Sequence, residues 1–327
     1  MKAHEGTVRS TLIAERTVVA IVGPTASGKT ALAIDLAKGV GGEIISADSR
    51  QVYRHLDIGT AKPTLEERAG IPHHFLDILD PGEEYNAGIF GEQARNTIDA
   101  LFARGIPPIV VGGSGLYIKS LIDGFFDGPG GDPEFRSAME KRLKRDGISS
   151  LLEELRLVDP VTAGRIDPTK PRRIIRALEV HHITGTPLST VQELRKPAIT
   201  YRTIQIGLLL ERKHLYERIN RRVDEMIERG LINEVAWLKA KGYRRDLNAL
   251  NTVGYAEVFA HLAGEISEGE MVRLIKRNTR RYAKRQMTWF SADRRVKWFP
   301  AESVKTLPLI PEILREREIA QPFGSRT

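Results

Sequence analysis

The chain has 327 residues, 41% hydrophobic and 28% charged, a composition that supports a full hydrophobic core in one large or two moderate domains. It contains no cysteine, which excludes disulfides, thiol catalysis and cysteine-ligated zinc, and no apolar run reaches the ~20 residues of a membrane span. Lys and Arg number 50 against 42 acidic residues, a net charge of +8, so the basic excess is either a solvated surface or the mark of a polyanionic partner. The N-terminal stretch MKAHEGTVRSTLIAERT has no apolar signal core, and a cytoplasmic address is expected.

The apolar run TVVAIV at residues 17–22 predicts a buried strand, and ALAIDLAKGV at 31–40 has helical spacing. Between them lies GPTASGKT, which fits the phosphate-loop pattern G-x-x-x-x-G-K-[ST] in the strand-to-helix setting it requires. Gly23, Pro24, Thr25, Ala26, Ser27 and Gly28 would wrap backbone N–H groups around a phosphate chain. Lys29 adds a cation, and the Thr30 hydroxyl can hold a magnesium ion on the phosphate oxygens. The motif alone leaves open whether the phosphate is transferred, hydrolysed or simply leaves.

EIISA at 43–47 reads as a second strand, which delivers Asp48 to the edge where ligands of open parallel sheets bind. Asp48 is followed by Ser49, Arg50 and Gln51, and taken alone it fits a turn-capping carboxylate as well as a catalytic one. HHFLDIL at 73–79 suggests a further strand. His73 and His74 are poor metal co-ligands there, because adjacent strand side chains point to opposite faces. Residues 85–104 have helical spacing, and IPPIVV at 106–111 predicts a strand running into the small-residue turn GGSGLY. The position after that strand is Gly112, where an NTP-hydrolysing enzyme would usually carry a metal-holding acid.

From residue 127 the composition shifts to a turn-rich segment and then to amphipathic helical patterns. TIQIGLLL at 203–210 restores strand character, so an α/β phosphate-binding core interrupted by a helical insertion over 127–201 is the simplest organisation. Residues 211–235 read as one long helix carrying Arg218, Arg221 and Arg222. The stretch MVRLIKRNTRRYAKRQMTWF at 271–290 repeats Arg and Lys at spacings of three and four, which predicts a positive helix face without balancing acids. Residues 300–327 are expected to be peripheral, with disorder in the last few.

Together GPTASGKT, ADSRQVY, DIGTAKP, VGGSGLY, KPRRIIRALEV, LNTVGYAE and RYAKRQMTWF make residues 18–290 resemble the tRNA dimethylallyltransferase (tRNA isopentenyltransferase) family. The resemblance implies a P-loop NTPase-like parallel-sheet core, 1–126 with 202–327, and a helical domain that grips the anticodon stem. It implies transfer of a dimethylallyl group from dimethylallyl diphosphate to N6 of adenosine 37 in tRNAs reading UNN codons, with Mg2+ as cofactor. Asp48 then matches the general base, with Ser114 and Arg222 as further catalytic positions, and residues 23–30 hold the diphosphate, whose motif also suggests ATP. Ser49, Arg50, Gln51, Arg136, Arg172, Arg173, Ile174, Ile175 and Arg176 match tRNA contacts, as do Asp48 and Ser114. Ser114 replaces the threonine common at its position, which keeps the hydroxyl and loses a methyl, and Arg50 stands at a position that varies. The basic helix faces either tRNA or diphosphate. A monomer without a membrane partner is expected. A small-molecule kinase would account for residues 23–30 but not for the basic helix. An RNA-binding protein with a phosphate-loop switch would leave Asp48 without a task.

Overall fold

In a computed structural model, residues 2–124, 130–194 and 199–301 are described. The chain opens with α1 (Lys2–Ala14), a helix too sparsely apolar to announce itself, whose Val8 and Leu12 are nevertheless buried in the core. Next come β1 (Thr17–Val22), buried at every position, and α2 (Lys29–Val40), which starts after Gly28 and stops at the left-handed Gly41. Arg9 of α1 donates to the carbonyls of Val40 and Gly41, closing the C-terminus of α2.

Strands β2 (Glu43–Ser46) and β3 (His73–His74) precede α3 (Ala87–Ala103), β4 (Pro108–Gly112) and α4 (Gly115–Asp123). The expected strand over 73–79 is corrected to two residues. Phe75 and Asp77 adopt left-handed φ angles of 64° and 56° that no strand accommodates. Residues 130–194 contribute α5 (Pro133–Val158), bent at Gly147, then α6 (Pro160–Arg165), α7 (Pro171–Thr184) and α8 (Leu188–Leu194). After β5 (Arg202–Leu209) the chain forms α9 (Arg212–Glu228), α10 (Leu231–Ala240), α11 (Tyr255–Leu262), α12 (Glu268–Ser291) and β6 (Val296–Pro300). The single long helix expected over 211–235 is two helices, because Gly230 at φ 94° separates α9 from α10. The expectation of disorder at the C-terminus falls outside the described residues.

All the strands are parallel, in the order β3-β2-β4-β1-β5-β6, and the fold is P-loop NTPase-like. Val22 at the end of β1 is level with Gly112 of β4 and Gly207 of β5, while Ser46 of β2 is level with Val111. The turns after β1, β2 and β4 therefore emerge along one edge. On one face Ile21, Ile44, Ile109 and Ile206 pack with Leu36 of α2. The chain divides into two compact units, Met1–Leu121 with Thr200–Thr327, and Ile122–Ile199. The second unit has its own core, in which Leu151 and Leu155 of α5 meet Ile174, Ile175 and Leu178 of α7.

Alignment of the strand ends depends on close backbone approach. A Cβ on Gly112 would lie 2.1 Å from the carbonyl oxygen of Ala47, whereas one on Gly269 in α12 would meet nothing. Gly112→Ala is expected to destabilise the protein by about 1–3 kcal/mol, and Gly269→Ala to be neutral or stabilising by up to about 1 kcal/mol. Urea unfolding midpoints measured on the two variants check this contrast.

Candidate active site

The 23–30 loop forms its cradle through left-handed backbone at Ala26 (φ 64°) and Gly28 (φ 95°), with Gly23 at φ 136°. Alternating conformations of this kind turn successive N–H groups inward, and the positive end of α2 adds to them. Lys29 is half-buried within the loop, and its ammonium donates to the carbonyl of Pro24 at 2.5 Å. Arg222 reaches in from α9 and donates to the Thr25 hydroxyl at 3.3 Å. Burial, reinforced by the neighbouring Arg222 charge and partly offset by Asp48, lowers Lys29 to about 7. Burial likewise lowers Arg222, with Arg218 adding to the effect. Cations held this close are stabilised by an anion between them. The Ser27 hydroxyl is also buried without a hydrogen-bond partner.

Asp48 stands one residue past the strand-end carbonyl of Ala47. Its Oδ1 accepts from the backbone N–H groups of Arg50 (2.8 Å) and Gln51 (3.3 Å). The turn-capping and catalytic readings are thus compatible, since one carboxylate oxygen holds the turn and the other points the group's remaining acceptor capacity elsewhere. Ser114, from the turn after β4, accepts from the N–H of Ser49 at 3.0 Å. Tyr282 of α12 is pushed up to about 12 by burial and by Asp48, against a lowering hydrogen bond with Ser114.

A cleft of about 620 Å³ brings these elements together, lined by Thr25, Ala26, Gly28, Lys29 and Thr30, by residues 48–51, and by Arg222, Tyr282 and Gln286. Gly23, Pro24 and Ser27 form the loop behind this lining. Gln286 carries no expectation of a site role from its charge or spacing, yet it ties the loop to β4. Its Oε1 accepts from the Thr25 N–H at 2.8 Å, and its Nε2 donates to the Gly113 carbonyl at 2.9 Å. The i, i+4 spacing of Tyr282 and Gln286 places both on one face of α12, the signal in RYAKRQ that could have found them.

Two residues expected to contact RNA are occupied by the protein itself. Arg50 donates to the carbonyl of Asn248, and the Gln51 amide donates to the carbonyls of Thr60 and Ala61, both at 3.2 Å. In the second unit Ile174 and Ile175 are core residues with 0% and 6% exposure, so their side chains do not form the expected contact surface. Arg136 and Arg176 both pair with the fully buried Glu179, while Arg172 and Arg173 are exposed. The basic face of α12 has more acid balance than its own sequence suggests. Lys276 pairs with Asp224 of α9 at 2.6 Å and Arg273 with Glu270. Arg281, Lys284 and Arg285 remain exposed.

No group of three or more His, Cys, Asp or Glu able to hold a metal occurs among the described residues, and no described helix is long and apolar enough to cross a membrane. Magnesium on a diphosphate needs only one or two protein oxygens, because phosphates and waters complete its shell. The exposed Thr30 hydroxyl at the start of α2, with Asp48 in the same cleft, fits that hard-oxygen requirement.

The family described as IPP transferase matches residues 51–294. The chain belongs to the IPP transferase family. It is similar to the tRNA dimethylallyltransferase of Geobacter metallireducens, 50% identical over 87% of this chain and 93% of that protein. Its fold is similar to the crystal structure of the tRNA isopentenylpyrophosphate transferase of Bacillus halodurans, with TM-score 0.67 and 42% identity over 92% of this chain and 95% of that one. It is also similar to a eukaryotic dimethylallyltransferase caught acting on tRNA, with TM-score 0.75 and 27% identity over 95% of this chain and 81% of that one. The IPP transferase match takes in Asp48's neighbours Gln51 and Val52, the whole insertion and α12, and begins after the phosphate loop.

Anion binding at this cleft is expected to depend on pH through Lys29. Below a pH of about 7 the amine is already protonated; above it the amine must take up a proton to meet an anion, so affinity falls as pH rises. Calorimetry of inorganic diphosphate binding in buffers of different ionisation enthalpy reads that proton. At about pH 8 the wild type is expected to take up close to one proton more than Lys29→Arg, and the difference should vanish by about pH 6.

Proposed function

We propose that this protein transfers the dimethylallyl group of dimethylallyl diphosphate to N6 of adenosine 37 in tRNAs reading UNN codons. The products are N6-(dimethylallyl)adenosine and diphosphate. The observation that carries this reading is the placement of Asp48 in one cleft with the phosphate loop, Lys29 and Arg222. A carboxylate facing a cationic anion site suits a reaction that removes a proton at one side and releases an anion at the other.

In this mechanism the N6–C1 bond forms as the C1–O bond to diphosphate breaks, and the amino proton passes to Asp48. Two backbone N–H groups hold Oδ1 of Asp48, which leaves Oδ2 to accept that proton. The loop N–H groups, Lys29 and Arg222 meet the negative charge growing on the leaving oxygen. Ser114 fixes the 48–51 turn through the Ser49 N–H. Thr30 would hold Mg2+, which when bound supplies further charge neutralisation to the diphosphate. No phosphoryl group is transferred, so the loop serves as the holder of a departing diphosphate.

An adenine stacked in an anticodon loop does not reach a strand end inside a cleft. Adenosine 37 is therefore flipped out, at a cost of a few kcal/mol that other RNA contacts offset. The helical unit, residues 122–199, supplies such contacts to the anticodon stem through phosphates, with Arg172 and Arg173 as its exposed cations. The protein works as a cytoplasmic monomer.

Unmodified tRNA incubated with Mg2+ and radiolabelled dimethylallyl diphosphate should acquire label, equally with and without ATP; absence of label under both conditions refutes the proposal. Asp48→Asn should lower the transfer rate by at least about 100-fold while tRNA affinity changes less than about threefold. The double substitution Arg172→Ala with Arg173→Ala should reduce the slope of log affinity against log salt by about 1–2, with the KM for dimethylallyl diphosphate unchanged.

A further inference from the structure

We propose that Glu234, on α10, is a positioning residue for the transfer reaction, acting on Asp48 through the 57–61 turn and Gln51; this rests on the function proposed above. Glu234 carries no role in the mechanism so far, yet its carboxylate is engaged on every side. Its Oε2 accepts from the N–H groups of Asp57 (3.1 Å) and Ile58 (2.8 Å). Its Oε1 accepts from the N–H of Gly59 (3.2 Å) and the hydroxyl of Tyr255 (2.6 Å). Three successive backbone N–H groups turned to one point make an anion cradle. Here its occupant is a carboxylate of the protein, and four donors fill its acceptor capacity.

The turn so held has no latitude at its centre. A Cβ on Gly59 would lie 2.5 Å from the ring of Tyr255, which is itself fully buried. On the other side Lys62, with 3% of its side chain exposed, joins Asp57 at 2.6 Å and Asp77 at 2.5 Å and donates to the carbonyl of Tyr53. Between these two anchors, the carbonyls of Thr60 and Ala61 both accept from the Gln51 amide, whose Oε1 accepts from the Ser46 hydroxyl at 3.2 Å. The Gln51 side chain is thereby committed at both ends, and its backbone N–H reaches Oδ1 of Asp48. A continuous hydrogen-bonded path thus runs from α10 to the proposed base, and every link is a protein group.

If Glu234 acts along this path, cutting it at Glu234 or at Gln51 has one and the same effect. The test is a double-mutant cycle on the full-length protein, using Glu234→Gln, Gln51→Met and their combination. The measured quantity is the single-turnover rate constant of label transfer, with protein in excess over labelled dimethylallyl diphosphate and tRNA saturating. With folded protein still in excess, that rate constant does not depend on how much of the variant is unfolded, and the cycle separates the path from independent disturbances. Each single substitution is expected to slow transfer by at least about tenfold, as loss of orientation near a reacting atom does. The double variant should be within about twofold of Gln51→Met. The KM for dimethylallyl diphosphate should stay within about threefold of wild type, because the phosphate loop is not on the path. A Glu234→Gln rate within about twofold of wild type, or a double variant as slow as the product of the singles, overturns the inference. Should Glu234→Gln not fold, Tyr255→Phe takes its place in the cycle with an expected loss of about threefold, and additivity with Gln51→Met again overturns it. A wild type that transfers no label instead overturns the proposed function.

Discussion

Lys29 and Arg222 are two half-buried cations lining one cleft, and the cost of holding them together shapes the rest of the site. Desolvation, with the neighbouring Arg222 charge, lowers Lys29 from 10.5 to about 7 and so disfavours its charged form. A fold keeps such a group where the cost is offset by a ligand of opposite charge. Asp48 electrostatically favours the Lys29 charge, so the base proposed for the reaction also moderates the anion site. Because their causes overlap, neither half of the cleft is independent of the other. Binding of a diphosphate would raise Lys29 and lessen its dependence on Asp48, leaving that carboxylate for the proton it is proposed to take.

Small residues at the sheet edge let these groups come so close. The turn GGSG reads, on its own, as a place where a ligand could approach the backbone. What approaches is largely protein. A Cβ on Gly113 would lie 2.1 Å from the Gln286 amide, and one on Gly115 would lie 2.2 Å from Trp289. Absence of side chains there seats α12 against the end of β4. Gln286 then bridges β4 to the phosphate loop, and Tyr282 one turn earlier reaches Ser114. The glycine at 112, where an acid would have suggested hydrolysis, is likewise explained by packing, since the Ala47 carbonyl occupies the space.

The sheet and the loop were legible in the sequence because their signals are local. TVVAIV and PIVV are nearly continuous apolar runs, EIIS centres on two isoleucines, and the phosphate loop is a fixed pattern between a strand and a helix. β3 is shorter than its sequence suggests for the opposite reason. The run HHFLDIL is apolar enough for a strand, but Asp77 is held by Lys62 from fifteen residues earlier in the chain, in a left-handed conformation that local pattern does not announce. The same limit applied to the arginines. Their number could be counted, but whether Arg136 meets RNA or the buried Glu179 depends on a residue 43 positions away. Ile174 and Ile175 look like any other pair within KPRRIIRALEV until the core of the helical unit claims them.

The residues hardest to find were those that act through backbone. Glu234 on α10 resembles an ordinary exposed helical acid, and no composition or motif argument distinguishes it from Glu225 or Glu228. Its importance lies in three N–H groups lying 175 to 177 residues earlier in the chain. Those donors are invisible in a sequence because every residue but proline carries one. DIGTAKP has a recognisable pattern, but the glycine is there for the Tyr255 ring and the lysine for two carboxylates, so the motif is defined by its supports more than by a substrate. That inverts the usual relation between motif and chemistry at this cleft. In the proposed reaction the phosphate loop gives its backbone to the diphosphate, whereas the 57–61 turn gives its backbone to Glu234 and Gln51, and so to the orientation of the carboxylate that faces both substrates.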